Sequence, residues 1–363
     1  MSEPRYDSHS DSHSDSHSDS HLDPDRTTGH PKLTRPSLPS RVADRLVVGV
    51  FNKTVGAISG SVRRRKWARE RLGQVQVIKG ITFCERTGMA LDIYAPRDVE
   101  LPDIERLMSA EHEQRGSSER HPFALYLHGG GFTLFSKDSH WPFGLKLAEA
   151  GFITFVINYR LAPQHPCPAG LEDCATALTW ILKRQASLKL DAARGLIAGE
   201  SAGGNLTLAL ALCLSRRGES AWERELFDLG WTPKMIAPAC AFLDVSGEGR
   251  LPDEMHPLFA WRVRSLGRKY LEQSARPELG EPLAELVSGV TLERPLPPTL
   301  ITVGDNDPVY RDSVRLAEEL KRRELAHQLI VYPKGIHTFH AAIHKPLAET
   351  CWRDHFEYWA GLA

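Results

Sequence analysis

The chain has 363 residues, enough for one large domain or two ordinary ones and for a sizeable core. Its 45 Lys and Arg against 46 Asp and Glu leave a net charge of -1, without the basic excess of a nucleic-acid binder, so that class is excluded. Apolar residues at 41 %, with 28 Gly and 24 Pro, fit a loop-containing globular protein and not a fibrous or disordered one. No apolar run comes near the roughly 20 residues that cross a bilayer, and the N-terminus lacks a charged start followed by an apolar stretch, so a cytoplasmic protein is expected. Six Cys (84, 167, 174, 213, 240 and 351) form no CxxC pair, which predicts free thiols and gives no zinc-site spacing.

Residues 1–39 hold almost nothing to bury and are expected to be a disordered tail. Within them a four-residue repeat places His9, His13, His17 and His21 four apart, a spacing whose one alternative use is weak chelation of a divalent ion. From Arg41 to Arg71 nine Arg and Lys face only Asp44 and Glu70, alongside an apolar stripe of Val47, Val50, Phe51, Val55, Ile58 and Val62. That spacing is helical, so residues 40–73 are read as N-terminal helices. Such a basic amphipathic segment either packs its stripe on its own protein or makes a weak peripheral contact with a membrane.

Residues 74–363 alternate β-rich with helical runs. A hairpin is predicted from Val75–Phe83 and Ala90–Tyr94 around a turn at Glu85–Gly88. Strands are then expected at Phe123–Leu127, Phe152–Asn158, Gly195–Ala198, Met235–Ala239, Thr299–Val303 and Gln328–Tyr332. Helices are expected at Ala169–Gln185, Ala202–Leu214, Tyr310–Leu325 and Leu347–Trp359. This alternation implies a mostly parallel sheet covered on both faces, with function at the carboxyl ends of its strands. Residues 241–295 break the rhythm and read as a helical excursion.

The chemistry concentrates in three loops. Gly199-Glu200-Ser201-Ala202-Gly203 follows a strand and opens an apolar helix, the sharp turn that lifts a Ser hydroxyl out of a sheet. His128-Gly129-Gly130-Gly131-Phe132 follows another strand; its glycines let backbone N–H groups converge on an oxyanion, and Ala202 adds one from the helix start. His128 itself is read as shaping that loop. A Ser nucleophile needs a His base oriented by a carboxylate. His337, in the loop after the last strand, ranks before His340 and His344. Among Asp305, Asp307 and Asp312, Asp307 is favoured because it lies in the loop, fixed by Pro308, while Asp305 ends the strand and Asp312 enters the helix. The order Ser, Asp, His is that of an α/β-hydrolase triad.

With these motifs the chain resembles the hormone-sensitive-lipase-like α/β-hydrolases, which include bacterial esterases and arylacetamide deacetylases. The resemblance rests on HGGGF at 128–132, NYRLAPQHPCPAGLEDC at 158–174, GESAGG at 199–204, DPVYRDS at 307–313 and GIHTF at 335–339. It implies an α/β-hydrolase fold with an eight-stranded sheet and a helical cap built from residues 40–73 and about 241–295. It places nucleophile, acid and base on Ser201, Asp307 and His337, and oxyanion donors on Gly130, Gly131 and Ala202. Tyr159 and Arg160 are expected to pack beneath the site, and Cys167 and Cys174 are expected to be packing thiols. Gln164 stands where the family commonly carries Glu, a departure in the loop and not in the triad. The expected activity is hydrolysis of a small carboxylic ester through an acyl-enzyme, without cofactor or metal. The alternatives are an amidase or deacetylase with the same triad, and a ligand receptor on an inactive scaffold, which would be missing a triad member.

Overall fold

The computed structural model describes residues 59–103, 107–108, 120–247 and 257–362, and side chains at all of these but 257–262. The repeat-bearing tail and most of the apolar stripe of the basic segment therefore lie outside the described residues. Eight apolar runs pair into one sheet: β1 (Val75–Cys84), β2 (Met89–Pro96), β3 (His121–Leu127), β4 (Ile153–Ile157), β5 (Leu190–Glu200), β6 (Met235–Ala239), β7 (Thr299–Gly304) and β8 (His327–Tyr332). Their spatial order is β1-β2-β4-β3-β5-β6-β7-β8. The first two strands are the expected hairpin, β2 runs antiparallel to β4, and every later pairing is parallel.

The two-residue period of a strand sorts its side chains to two cores. Phe123, Leu125 and Leu127 join Phe155, Ile197, Ile236 and Ile301 on one face. There they meet α3 (Ala169–Lys183), α4 (Ala202–Ser215) and α8 (Tyr310–Arg322) through Leu178, Leu206 and Leu316. Ala124, Tyr126, Val156, Ala198 and Met235 point to the other face, against Phe143 and Leu147 of α2 (Trp141–Glu149) and Trp352 of α9 (Pro346–Gly361). Strands buried on both faces have no polar alternation to show, which is why they read as continuous apolar runs. The α4 helix is buried along all of its 14 residues, so it has no polar face either.

Between α4 and β7 lie α5 (Ala221–Asp228), α6 (Pro257–Leu271) and α7 (Pro282–Val287). The last two make up the expected excursion. At the amino end α1 (Lys66–Leu72) buries Ala68, sets Trp67 against Trp141 and His344 with ring centroids 6.2 and 5.0 Å away, and ties Arg71 to Glu149 and Glu349. Its remaining cations, with Arg64 and Arg65, face outward. The described part of the basic segment thus packs on its own protein. No described helix is long and apolar enough to cross a membrane. Because β3 to β8 run parallel, Leu127 sits beside Gly199, Glu200 beside Ala239, and Gly304 beside Tyr332, so the loops that follow share one edge of the sheet.

Candidate active site

Ser201 occupies the turn from β5 into α4 with φ 56° and ψ -119°, a conformation L residues rarely adopt. Three backbone hydrogen bonds impose it: Ser201 N–H donates to the Ala239 carbonyl, and its own carbonyl accepts from Asn205 and Phe242. The flanking glycines are required by contact. A Cβ on Gly203 would lie 2.0 Å from the Leu127 carbonyl oxygen, and one on Gly199 would lie 2.5 Å from that of Gly203. Strand and helix can approach this closely only without those side chains, and that approach sets the angle of the elbow.

The loops after β7 and β8 bring the other two residues in. His337 Nε2 is 3.0 Å from Ser201 Oγ, and its Nδ1 lies 2.9 and 3.0 Å from the two Asp307 carboxylate oxygens. Asp307 Oδ1 also accepts from Val309 N–H at 2.9 Å, which fixes the carboxylate plane. These two loops touch through a glycine pair, since a Cβ on Gly304 would fall 2.0 Å from the Gly335 carbonyl oxygen. The competing residues have other partners. Asp305 accepts from the Lys334 N–H, closing the turn before His337, and Asp312 accepts from the N–H groups of Leu243 and Asp244. His340 is buried among Phe143, Phe339 and Trp352, and His344 stacks near Trp67.

The glycine-rich loop bends through positive φ at Gly130 (118°) and Gly131 (58°), and the Gly130 carbonyl accepts from Thr133 and Leu134. A Cβ on Gly130 would meet the Leu134 carbonyl oxygen at 2.2 Å. Gly129 has its N–H committed to Glu200 Oε1 at 2.5 Å, which leaves Gly130, Gly131 and the first helical residue Ala202 as the N–H groups to consider for an oxyanion. His128 is buried against Tyr159, whose hydroxyl donates to the His128 carbonyl, and burial lowers its pKa to about 3. It is therefore a neutral, loop-shaping side chain, as expected. Arg160 is paired with Asp173 and Glu172, Gln164 is exposed, and all six cysteines are free.

Burial opposes charge on His337, but the adjacent Cys240 sulfur and the Asp307 carboxylate act the other way and hold the ring above its ordinary range. Cys240 was not singled out by sequence; burial pushes its thiol up, and the neighbouring His337 acts in the opposite direction. Cys240, Asp307 and His337 offer ligand atoms within 4.8 Å of one another, the one such group among the described residues. Two of the three already bond each other, so the spacing is that of a His–Asp pair with a packed thiol.

A family model for the α/β hydrolase fold matches residues 124–341, more than half of the chain. The chain belongs to the α/β-hydrolase family. Among curated relatives, carboxylesterase NlhH of Mycobacterium tuberculosis is 31 % identical over 222 residues, 60 % of this chain and 66 % of that one. The ethyl acetate hydrolase of Pseudomonas putida is 29 % identical over 59 % of this chain and 65 % of its own. The matched stretch thus spans just under two thirds of either relative. Solved structures similar to this chain include an esterase of Pyrobaculum calidifontis, with TM-score 0.65 and 22 % identity over 87 % of this chain and 94 % of that one. An esterase of the bacterial hormone-sensitive lipase family gives TM-score 0.62 and 22 % identity over 86 % and 90 %. The resemblance drawn from the motifs is met by the family match and by these neighbours in fold.

Proposed function

We propose that this α/β-hydrolase is a serine carboxylesterase. The observation that carries the reading is the continuous chain from Ser201 Oγ through His337 to Asp307, with steps of 3.0 and 2.9 Å, beside a glycine-rich loop. Ser201 attacks the ester carbonyl as His337 Nε2 takes its proton; Asp307 holds the tautomer that leaves Nε2 free to do so. The N–H groups of Gly130, Gly131 and Ala202 receive the oxyanion. Collapse expels the alcohol, protonated by His337, and leaves an acyl-enzyme. Water activated by the same ring then releases the acid and restores the serine. The curated relatives that bear esterase names support an ester over an amide.

Residues 257–295, together with α1, are proposed as the cap. Supporting this, a Cβ on Gly131 would meet Leu266 of α6 at 2.6 Å, and Phe132 stacks on Tyr270 with centroids 3.7 Å apart, so α6 lies directly over the glycine loop. That position makes an apolar wall for a small acyl or alcohol group. Whether the basic segment also touches anionic membranes is a separate reading that the inward packing of Trp67 does not favour. The test is a panel of p-nitrophenyl esters of rising chain length beside matched anilides, with wild type and Ser201→Ala. Ester turnover that falls on the order of a million-fold in Ser201→Ala is expected. Anilide turnover equal to ester turnover would replace the ester by an amide, and undiminished activity in Ser201→Ala would overturn the nucleophile.

A further inference from the structure

A second polar constellation lies directly behind the nucleophile, and the triad chemistry does not use it. Glu200 precedes Ser201, ends β5 and is 2 % exposed. Three donors converge on its carboxylate: Gly129 N–H at 2.5 Å and His140 Nε2–H at 2.7 Å on Oε1, and Tyr126 O–H at 2.5 Å on Oε2. A carboxylate buried this deeply is tolerated only with such compensation. Burial alone would raise its pKa, but His140 and Tyr126 outweigh that and keep it below the usual carboxylate range. The side chain is an acceptor at every contact.

His140 is held as firmly as Glu200. Its ring lies between Phe143 (centroids 5.4 Å, stacked) and His128 (5.3 Å), with Phe135 at 5.8 Å, and its Nδ1 faces Ser139 Oγ at 2.9 Å. Position 129 is shaped to the contact as well, because a Cβ there would sit 2.5 Å from Glu200 Oε1. The carboxylate thus joins the serine turn to the peptide immediately before Gly130 and Gly131. Pinning the Gly129 N–H fixes the orientation of that peptide, and with it the directions in which the next two N–H groups point.

We propose that Glu200, braced by His140 and Tyr126, is a positioning residue for the oxyanion site: it locks the glycine loop to the nucleophile without touching substrate. This rests on the ester-hydrolase reading above. Donors aimed at an oxyanion act on the transition state and not on the bound ester, so loosening them lowers kcat and leaves KM in place. They also discriminate oxygen from sulfur at the carbonyl, because a thiolate-like sulfur is larger and a weaker acceptor. A change in preference for an ester over its thionoester therefore reports the oxyanion site, whereas a general loss of packing does not move it.

The experiment compares wild type, Glu200→Met and Glu200→Gln on p-nitrophenyl butyrate and its thiono analogue, with kcat expressed per site titrated by an organophosphate. Met keeps length and shape and removes every acceptor. Gln keeps Oε1 for Gly129 and His140, and only the Tyr126 contact changes: the amide now donates to the Tyr126 oxygen, whose own proton loses its carboxylate acceptor. Expected for Met is a kcat on the order of 100-fold lower, KM within about threefold, and an oxo-over-thiono preference reduced at least about tenfold. Gln should stay within about threefold of wild type on all three measures. Should Met prevent folding, Glu200→Ala replaces it, since the space it opens admits water to the stranded donors. A folded Met or Ala variant with unchanged kcat and preference overturns the proposal, as does a Gln variant as impaired as Met. Failure of the underlying reading is seen separately, as ester turnover that survives Ser201→Ala.

Discussion

The backbone at Ser201 lends itself to a test that needs no turnover. An L residue held at φ 56° and ψ -119° carries strain of about 1–3 kcal/mol, and here three backbone hydrogen bonds hold it there. Comparing Ser201→Gly with Ser201→Ala isolates that strain, because both variants lose the hydroxyl and its bond to His337 and differ only in the Cβ. Gly relieves the strain but loses about 0.5–1 kcal/mol through the greater freedom of its unfolded chain. The difference of the two ranges runs from about 0 to about 2.5 kcal/mol, centred near 1 kcal/mol in favour of Gly. In a protein of this size about 1 kcal/mol moves the melting temperature by about 2 °C, so Gly should melt about 2 °C above Ala, and at most about 5 °C above it. Urea titrations followed by tryptophan fluorescence, with thermal scans at one fixed rate, measure the difference. A Gly variant with its midpoint at or below that of the Ala variant would refute the reasoning, because it would mean that the elbow stores no strain relieved by loss of the Cβ.

Asp307→Asn should cost on the order of ten thousand-fold in kcat while Asp305→Asn, which disturbs only the turn at Lys334, costs far less; the reverse order would reassign the acid. Hydrolysis needs His337 unprotonated, and its pKa is held above the ordinary value, so kcat/KM should rise with pH along a limb centred above that value. In Asp307→Asn the carboxylate that favours the imidazolium is gone, so the residual activity should show its limb at lower pH; a limb that stays put would contradict the assignment. Asp312 is a stability test of the opposite sign: burial, with Asp244 and Glu281 nearby, raises its pKa to about 7. The folded state then binds more protons than the unfolded one between about 4 and about 7, so stability should fall as pH rises through that window. Asp312→Asn should flatten this slope in urea titrations at pH 5 and pH 8, and an unaltered slope would show that Asp312 is ionised throughout.

What the sequence discloses here follows from where each interaction is local. Strands β3, β4, β6 and β7 are flanked by turn residues and buried along nearly their whole length, so apolar runs alone locate them to within a residue or two. The β5 strand is read only from Gly195, because its opening residues Leu190 to Arg194 mix charge with alanine and only Leu190 among them has a partner in β3, His121. Helices α2 and α5 both escape the reading: α2 is short and starts after a His with no side-chain cap, while α5 carries a usable signal, the capping box of Ser220 and Glu223. The Ser201–His337–Asp307 arrangement is legible because each member sits in its own local motif and the fold need only bring the motifs to one edge. Asp305 and Asp307 are separated by the turn each one serves, a matter of two residues that loop position already favours.

His140 lies on the other side of this divide. Nothing in its local sequence marks it, since its partner is 60 residues away and the stretch around it resembles any polar loop. The available signal is in the partner. A Glu between Gly199 and Ser201, at the end of a buried parallel strand, is a charge where the fold offers little water, and such a group must find donors. One donor comes from the glycine motif, one from Tyr126 on the neighbouring strand and one from His140. A buried acid inside a GxSxG motif is therefore a prompt to search for unassigned donors, and in this protein the search ends on the loop that carries the glycine motif at 128–132.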